Sequence, residues 1–549
     1  MLRHVIVLFL LSGLVTELPV FAASGDASEA CPRPRAGGLV NTPPELRSAQ
    51  GKLELTMSFR GGEGPDGLAR YCYIDGNGSL APTLRLHPGD ELVLTLKNDL
   101  RPAEAASASH HHTATNQSTT GAANACSARE LTAASTNLHF HGLNLPPTCH
   151  QDEVIHTLLQ PSDAGFEYRV KIPRSQPPGL YWYHPHPHGY SEAQVLGGAS
   201  GALIVEGIES VRPELEGLPE RVLVLRDQMI PGRKADADDA GSAAGKNISL
   251  NFVPVLLPLG LPAALAVRPS ERELWRVLNA SADTYFDLQL LYRRRDERES
   301  VAQPLELVAL DGAPIRKVRA EKSANLLLPP GGRAEFLVTT PPEGAFAQMV
   351  TRSYDTGPDG EKHPYRAIAN IVSRTDAPAA GSALPHSSGG VANHDLELST
   401  AVPVRRRKLY FSEDRQDLKD PGKPARYFIT VDGTAPHVFD MNFRKPDIAV
   451  RQGTVEDWTI ENRAREAHVF HIHQLHFLVL ERDGHKVTEP VLQDTVDLPY
   501  WDGKNPRYPS IKLRMDFRNP EIIGTFLYHC HILEHEDAGM MGSIQVLPR

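Results

Sequence analysis

A turn followed by an alternating strand occurs three times in this chain, and this repeat constrains the fold more than any other feature. The copies share their length, their turn position and a terminal Asn, and they are Leu86–Asn98, Val267–Asn279 and Val450–Asn462. Alternating apolar and polar residues place side chains on the two faces of a β-strand. Three copies in register therefore predict three copies of one β-domain.

Other segments support β-sandwiches along the whole chain. Alternation favours strands at Arg221–Leu225, Glu306–Leu310, Ala334–Thr339 and Lys408–Ser412. The 45 Pro and 43 Gly among 549 residues favour many turns and short strands over long helices. A turn at Arg212–Glu220 and an Ala-, Gly-, Ser- and Pro-rich run at Asp376–Asn393 separate the units. We therefore predict domains at residues 40–211, 219–375 and 406–549, with a linker at 376–405.

Two further segments are predicted to lie outside this repeated core. Residues 101–135 are rich in Ala, Ser, Thr and Asn and indicate a surface insertion in the first domain. At the N-terminus, Arg3 precedes an apolar run, and Val20–Ala23 supplies small residues for cleavage. This pattern predicts a secretory signal at residues 1–23 and an exported protein, periplasmic or secreted, without a membrane span after cleavage. The net charge of −10 argues against nucleic acid as a partner.

Four His-x-His pairs follow the repeat, and they are His139/His141, His184/His186, His471/His473 and His529/His531. On a strand, the two imidazoles of each pair share one face. The second and fourth pairs end equivalent segments, with Pro185 in the place of Cys530. The middle copy has Leu288 and Leu290 at the offsets of His471 and His473. We therefore expect metal ligands in the first and third copies and a spacer in the second, although imidazole pairs alone do not name the metal.

Cys530 separates the two His of the last pair and projects from the opposite face of its strand. His468 has the same relation to His471 and His473. With His535 and Met540, these residues make up the ligand set of a blue copper centre, two His and one Cys with a weak axial Met. Zinc is disfavoured because it has no redox use for a Cys that joins two sites. The sequence thus predicts two metal centres on opposite sides of the same strands.

The other four Cys form an even number in an oxidising compartment, which favours two disulfides. Three connectivities are possible. We favour Cys126–Cys149, which brackets the first His motif, and this pairing leaves Cys31–Cys72.

The motifs resemble the four copper-binding signatures of three-domain multicopper oxidases, a family that includes laccases, bilirubin oxidases and bacterial cuprous oxidases. They are His139-Phe-His141-Gly, Trp182-Tyr-His184-Pro-His186, His468-x-x-His471-x-His473 and His529-Cys530-His531-x-x-x-His535-x-x-x-x-Met540. The resemblance covers nearly the whole mature chain. It implies an all-β fold of three cupredoxin-like Greek-key β-sandwich domains, with a trinuclear copper site between domains 1 and 3.

The resemblance also implies four copper ions per chain and a ligand set for each. The type 1 copper would be held by His468, Cys530, His535 and Met540. The type 2 copper would be held by His139 and His471. The type 3 pair would be held by His141, His184, His186, His473, His529 and His531. His188 and His476 are departures that we interpret as packing or supporting residues.

The mechanism implied by the resemblance begins with a small reducing substrate, which gives single electrons to the type 1 copper through an exposed imidazole edge of His535 or His468. The electrons cross through Cys530 to the trinuclear site, where dioxygen becomes water. Glu536 and Asp152 (or its neighbour Glu153) are placed to relay protons, as similar acids do in the family. These two acids, Cys530 and His535 are the predicted catalytic residues.

The substrate is the least determined prediction. The chain has eight Met and no Met-rich run, so delivery of Cu(I) through thioethers is less supported. We expect laccase-type oxidation of phenols and aromatic amines. The alternatives are a bilirubin oxidase-like activity or a metallo-oxidase acting on Cu(I) or Mn(II). A copper-binding electron-transfer protein without oxidase turnover is an alternative of a different class. The sequence does not indicate an oligomeric state.

Overall fold

The computed structural model describes residues 30–100, 125–127, 129–231, 246–256, 260–315, 323–381, 383–384, 394–415 and 425–549. The predicted signal at residues 1–23 and most of the predicted insertion at 101–135 lie outside the described residues. Within these ranges the regular secondary structure is almost entirely β-strand, with only a few short helices. The predicted all-β class is therefore confirmed, while the domain limits stay a prediction.

The first β-sandwich has nine strands. They are β1 (Glu45–Arg47), β2 (Lys52–Glu63), β3 (Ala69–Asp75), β4 (Thr83–Leu86), β5 (Glu91–Asn98), β6 (His139–His141), β7 (Phe166–Lys171), β8 (Gly179–His184) and β9 (Gly201–Val205). One sheet has the order β1-β4-β9-β8-β6 and the other the order β3-β2-β5-β7. Their inner faces enclose a core that includes Phe59, Leu94, Phe140 and Tyr183. The short helix α1 (Ser191–Leu196) follows β8.

The second β-sandwich contains most of the strands between residues 220 and 373. They are β10 (Glu220–Met229), β11 (Lys246–Leu250), β12 (Val253–Val255), β13 (Ala263–Val267), β14 (Arg272–Asn279), β15 (Phe286–Arg293), β16 (Val301–Ala302), β17 (Glu306–Leu310), β18 (Ala313–Pro314), β19 (Leu326–Leu328), β20 (Arg333–Thr339), β21 (Phe346–Arg352), β22 (Tyr354–Asp355), β23 (Lys362–His363) and β24 (Arg366–Ser373). The two main sheets have the orders β12-β11-β10-β14-β20-β17-β18 and β13-β24-β21-β15-β16. Trp275, Phe286 and Phe336 lie in the core between them.

The third β-sandwich begins after helix α2 (His394–Thr400), within the predicted linker. Its strands are β25 (Arg405–Asp414), β26 (Arg426–Val431), β27 (Ile448–Arg451), β28 (Val455–Asn462), β29 (His468–Ile472), β30 (Phe477–Arg482), β31 (His485–Lys486), β32 (Leu492–Gln493), β33 (Thr495–Leu498), β34 (Ser510–Asp516), β35 (Gly524–Cys530) and β36 (Met541–Leu547). The sheets have the orders β26-β25-β28-β34-β30-β31 and β27-β36-β35-β29-β33. Helix α3 (Leu533–Asp537) connects β35 to β36.

The sequence repeat has a common structural role in the three sandwiches. Each repeated strand, β5, β14 or β28, lies between one parallel and one antiparallel neighbour. The terminal Asn is buried and makes the same kinds of hydrogen bond in all three sandwiches. In Asn98, Asn279 and Asn462, Nδ2 donates to at least two backbone carbonyls and Oδ1 accepts the N–H two residues on. This satisfies the backbone where the strand leaves the sheet, and it explains the shared Asn.

Both favoured disulfides, Cys31–Cys72 and Cys126–Cys149, are present in the structure. Cys530 is the free, buried cysteine. In the part of the chain that the structure describes, none of the helices has the length and apolar character needed to cross a membrane.

Candidate metal centres

The four His-x-His pairs face one another from two pairs of neighbouring strands. In the first sandwich β6 and β8 are antiparallel, with His139 opposite His184. In the third sandwich β29 and β35 are antiparallel, with His471 opposite His529. All eight imidazoles are buried. We call this set of eight the all-imidazole site.

The second sandwich has the same strand pair without imidazoles. Strands β15 and β21 are antiparallel, and Leu288 and Leu290 lie opposite Thr351 and Met349. Leu288, Leu290 and Met349 belong to the hydrophobic core of that sandwich. Apolar packing thus occupies three of the four positions that carry candidate ligands in the other two sandwiches.

Ring nitrogens of the all-imidazole site lie close together. His529 Nε2 lies 3.1 Å from His473 Nε2 and 3.4 Å from His186 Nε2. In three trios, potential ligand atoms all lie within 4.8 Å of one another, and the trios are His139/His141/His184, His139/His471/His473 and His186/His473/His529. This donor set suits copper, iron or zinc.

Several of these nitrogens are buried without a hydrogen-bond partner in the described structure. They are His139 Nε2, His141 Nδ1, His184 Nε2, His471 Nε2, His473 Nδ1 and both ring nitrogens of His531. A buried polar atom without a partner destabilises the fold unless something binds it. These atoms therefore fit a site built for metal ions.

Six of the eight imidazoles are held in the neutral form, which is the form that binds metal. Burial and then the neighbouring imidazoles lower the pKa values of His141, His184, His471 and His473 well below the usual range. Burial lowers the pKa of His186 to about 4 and that of His531 to about 3. At neutral pH the lone pairs are thus free for coordination.

The outer nitrogens of four imidazoles are fixed by hydrogen bonds. His184 Nδ1 lies 3.0 Å from the Pro185 carbonyl, His529 Nδ1 2.9 Å from the Cys530 carbonyl, and His471 Nδ1 2.8 Å from the Asp494 carbonyl. His139 Nδ1 lies 3.0 Å from both carboxylate oxygens of Asp152. A proton on Nδ1 leaves Nε2 to face the centre.

His141 is oriented the other way round. Its Nε2 lies 3.1 Å from Asp494 Oδ1, and Nδ1 is the inward atom without a partner. Arg333 holds the same carboxylate through two hydrogen bonds of 2.7 and 2.5 Å. Sequence reasoning missed both Asp494 and Arg333, because neither lies in a His motif.

The two predicted acids both lie against the all-imidazole site. Asp152 accepts from the Phe140 N–H at 2.8 Å and from Gln474 Nε2 at 2.5 Å, besides its contact with His139. Glu536 Oε2 lies 3.1 Å from His529 Nδ1, and Oε1 lies 3.5 Å from His186 Nε2. Burial acts to raise the pKa of Glu536, but His186 and His529 outweigh it and hold that pKa well below its usual range.

Cys530 lies on the other face of β35, as strand alternation predicts. Its Sγ is 3.6 Å from His468 Nδ1 and 3.7 Å from His535 Nδ1, and these two nitrogens are 3.2 Å apart. Met540 is fully buried, and its carbonyl accepts the Cys530 N–H at 3.1 Å. We call Cys530, His468, His535 and Met540 the thiolate site. One sulfur and two imidazole nitrogens at these distances fit a copper ion.

The expected exposed imidazole edge at the thiolate site is wrong. His468 is 0% exposed and His535 is 2% exposed. Carboxylates cover their outer nitrogens, with Glu413 Oε1 3.2 Å from His468 Nε2 and Glu466 Oε2 3.5 Å from His535 Nε2. The physical reason is that polar side chains of the third sandwich close over both rings, which strand alternation cannot reveal.

Arg415 and Tyr427 complete this cover. Arg415 Nε lies 2.9 Å from Glu413 Oε2, and Arg415 Nη2 lies 2.9 Å from Glu466 Oε2. The Tyr427 ring stacks on the His535 ring, with centroids 4.2 Å apart. Burial acts to raise the pKa of Glu413, but His468 outweighs it and lowers that pKa to about 2. Burial and then Glu413 raise the pKa of Glu466 to about 8. The two acids therefore differ in protonation at neutral pH.

Two other His follow the interpretation as supporting residues. His476 Nε2 donates to the Asp311 carbonyl at 2.9 Å, and the His188 ring packs edge-on against Phe439 with centroids 5.6 Å apart. Neither belongs to a group of converging ligand atoms in the described structure.

Known proteins are similar to this chain in sequence. Two family models, each described as Multicopper oxidase, match residues 127–210 and 415–549. The multicopper oxidase mco of Staphylococcus haemolyticus (strain JCSC1435) is 25% identical over 482 residues, which are 86% of this chain and 83% of that protein. A laccase of Bacillus subtilis (strain 168) is 24% identical over 401 residues, 68% of this chain and 72% of the laccase.

Solved structures show the same fold. A multicopper oxidase from Campylobacter jejuni, described as a metallo-oxidase, superimposes with a TM-score of 0.65 at 22% identity and covers 95% of this chain and 98% of its own. The laccase-like multicopper oxidase CueO from Ochrobactrum sp. has a TM-score of 0.62 at 21% identity, with 92% of this chain and 100% of its own covered.

Proposed function

The chain belongs to the multicopper oxidases, copper-dependent oxidoreductases that use oxygen and a reducing substrate, and we propose that it is an oxidase of laccase type. A small substrate gives up one electron at a time at the thiolate site, and dioxygen is reduced to water at the all-imidazole site. One observation carries this proposal. The Cys530 sulfur belongs to one site, while the imidazoles of its neighbours His529 and His531 belong to the other.

The proposed copper content is four ions per chain. The thiolate site would hold one ion through His468, Cys530, His535 and Met540. His139 and His471 would hold a second, and the remaining imidazoles of the all-imidazole site would hold a pair. The orphaned inward nitrogens and the converging donor atoms support this assignment.

Bound copper would supply one-electron chemistry, because it alternates between Cu(I) and Cu(II). The chain itself holds the ligand atoms in place and excludes water from them. Glu536 is an ionised carboxylate next to His529 and His186, so it can take up a proton and pass it on. Asp152 is tied to His139 Nδ1 and to Gln474, and it is the second proposed proton donor. Cys530 is the covalent link between the sites.

Phenols and aromatic amines are the first proposed substrates. The buried imidazoles require that such a substrate binds over the cover formed by Glu466, Arg415 and Tyr427. Glu413 is the ionised acid of this cover and lies against His468, so its carboxylate can accept the phenolic proton as the electron leaves. The laccase relative supports this class.

A metal cation is the second candidate, and a specific observation favours it. Glu413 and Glu466 place carboxylate oxygens within 3.5 Å of the outer nitrogens of both thiolate-site imidazoles. Hard oxygen donors are better suited to binding Fe(II) or Mn(II) than to binding an aromatic substrate. The metallo-oxidase from Campylobacter jejuni has the same fold as this chain.

Copper analysis followed by oxygen uptake tests the proposal. We expect about four copper ions per chain and a blue absorption band. A count near one with no oxygen uptake would instead indicate an electron-transfer protein. Uptake is then measured with phenols, bilirubin, Cu(I), Mn(II) and Fe(II). Glu413→Gln should raise KM for a cation but not for a phenol, and an unchanged KM for both would eliminate the cation candidate.

Export to the periplasm or outside the cell belongs to the same proposal. It rests on the signal-like pattern at residues 1–23 and on two disulfides, which persist in oxidising compartments. Mass spectrometry of the protein from its native host should find an N-terminus near residue 24. An intact Met1 would contradict export by cleavage.

A further inference from the structure

Arg333 lies where the three sandwiches meet, and it is completely buried. It is the first residue of β20 in the second sandwich. Its Nε donates to the Leu180 carbonyl of the first sandwich at 3.3 Å. Two more donors bind the carbonyls of Gly331 and Asp311, each at 3.0 Å. The remaining two bind both carboxylate oxygens of Asp494 in the third sandwich. Every N–H of this guanidinium is therefore used.

Asp494 connects this arginine to the all-imidazole site. Its Oδ1 lies 3.1 Å from His141 Nε2 and accepts the Thr495 hydroxyl at 2.8 Å. Its backbone carbonyl lies 2.8 Å from His471 Nδ1. An ionised carboxylate only accepts hydrogen bonds, so the proton of neutral His141 must lie on Nε2. Nδ1 is then left bare and faces the other imidazoles.

Close backbone packing keeps this arrangement in place. A Cβ at Gly142, which follows His141, would lie 2.5 Å from Asp494 Oδ2 and 2.6 Å from an Arg333 nitrogen. A Cβ at Gly331 would lie 2.9 Å from the His531 ring. Both glycines have a positive φ. The turn before β20 thus contacts one imidazole directly and reaches a second through Asp494.

We propose that Arg333 and Asp494 are positioning residues that make His141 bind copper through Nδ1. Arg333 fixes the carboxylate, and the carboxylate fixes the tautomer and the ring orientation of His141. The second sandwich, whose described residues include none of the candidate ligands, thereby takes part in building the all-imidazole site. The inference depends on the proposed copper function, and it goes beyond it by assigning a role to a domain predicted as a spacer.

Arg333→Met tests this role in the full-length, copper-loaded protein. It should leave the blue band of the thiolate site in place, because Arg333 contacts none of that site's ligands in the described structure. A chelator should strip copper from the all-imidazole site about 10- to 100-fold more readily, the usual effect of losing a residue that orients a metal ligand. Arg221→Met is the matched control. It breaks the buried Arg221–Glu273 pair of 2.6 and 2.9 Å, and it should leave the copper content unchanged.

The double variant Arg333→Met/Asp494→Leu separates positioning from stability. An apolar pair can replace a buried ion pair without loss of stability. If Arg333 and Asp494 both serve only to stabilise the fold, the double variant should regain both stability and wild-type copper retention. We expect it to regain stability alone. Recovered copper retention would overturn the proposal.

A copper-loaded crystal structure of the wild type gives a test that needs no variant to fold. We expect His141 bonded through Nδ1, with Nε2 on Asp494. A copper–Nε2 bond at His141 would overturn this inference and leave the oxidase function intact. A wild-type chain that takes up no copper would overturn the oxidase function itself.

Discussion

Gln474 of the third sandwich donates from Nε2 to Asp152 Oδ2 of the first at 2.5 Å, and Asp152 in turn contacts His139 Nδ1. Gln474 has a φ of 61°, a left-handed conformation that favours glycine. The residue at the same position after the first His-x-His pair is Gly142, with a φ of 87°. A strained backbone is thus retained where its side chain joins two sandwiches at a candidate ligand.

Gln474→Gly should separate stability from function. Glycine relieves backbone strain of about 1 kcal/mol and removes a hydrogen bond of about the same value, so the free energy of unfolding should change little. The loss of the Asp152 contact should loosen His139 and lower copper retention and kcat by about 10-fold or more. Chelator titration and oxygen uptake measure both effects.

The matched control is Gln50→Gly, which relieves a similar positive φ of 53° at an exposed residue. It should leave copper retention and kcat at wild-type values. If Gln474→Gly behaves like this control, Gln474 has no role in holding His139.

Cys530→Ser should abolish the blue band and leave the all-imidazole site loaded. A serine oxygen is a poor replacement for a thiolate at copper, whereas the backbone carbonyl of residue 530 still accepts from His529 Nδ1. Copper analysis should give about one ion fewer than in the wild type. A retained blue band would contradict the thiolate assignment.

The parts of the site that could be predicted from the sequence are those that depend on strand alternation. A period of two is a local property, so the opposite faces of Cys530 and His529 could be inferred without knowing the fold. The three repeated strands likewise carried their own pattern, and even the shared Asn has one structural cause. Four Cys in an oxidising compartment predicted two disulfides, but the count left three connectivities open, and the favoured one rested on the position of Cys126 and Cys149 around the first His motif.

Residues that act across sandwich boundaries could not be predicted in the same way. Arg333, Asp494 and Gln474 reach the imidazoles only because three separate sandwiches dock together, and no local period records that docking. Glu466 precedes His468 by two residues, yet nothing in the strand pattern indicates that it covers His535. A weak signal did exist at Gln474, since it occupies the position of Gly142 in the repeated motif.

Glu536→Gln should slow oxygen reduction while copper content and the blue band stay unchanged. The amide keeps the shape of the side chain but cannot hold and release a proton beside His529 and His186. General acid–base groups contribute about 10²- to 10⁴-fold, so a fall of at least about 10-fold is expected. Reoxidation of the reduced enzyme by dioxygen, followed by stopped flow, measures this step.

Glu534→Gln is the control for that prediction. Glu534 lies on the same helix α3, and its backbone N–H donates to Asp283 Oδ1 at 3.3 Å. It should reoxidise at the wild-type rate. Equal rates for wild type and Glu536→Gln at equal copper content would remove Glu536 from the proposed proton route.

His363 in β23 provides a test of acid stability away from the copper ligands. Its buried ring lies 5.9 Å from the Tyr285 ring, and its Nε2 has no hydrogen-bond partner in the described structure. Burial is the largest effect on this residue and lowers its pKa from 6.5 to about 4. Between these values the unfolded chain binds more protons than the folded chain, so the free energy of unfolding rises with pH across this window. Above pH 6.5 His363 has no effect on the free energy of unfolding through its titration. Below pH 4 its titration lowers the free energy of unfolding by up to about 3 kcal/mol.

His363→Phe removes the titrating group and keeps a flat ring in the same space. The variant should therefore be more stable relative to wild type at the acid end of the window than at neutral pH. Urea unfolding of both copper-free proteins across that range isolates the effect, because the other buried imidazoles are the same in both and cancel in the difference. His363→Gln should likewise make the free energy of unfolding less dependent on pH than in the wild type. Because Gln has no ring, agreement between the two variants separates the effect of titration from the effect of ring size. A difference between wild type and both variants that stays constant with pH would mean that His363 is protonated in the folded chain as readily as in the unfolded one.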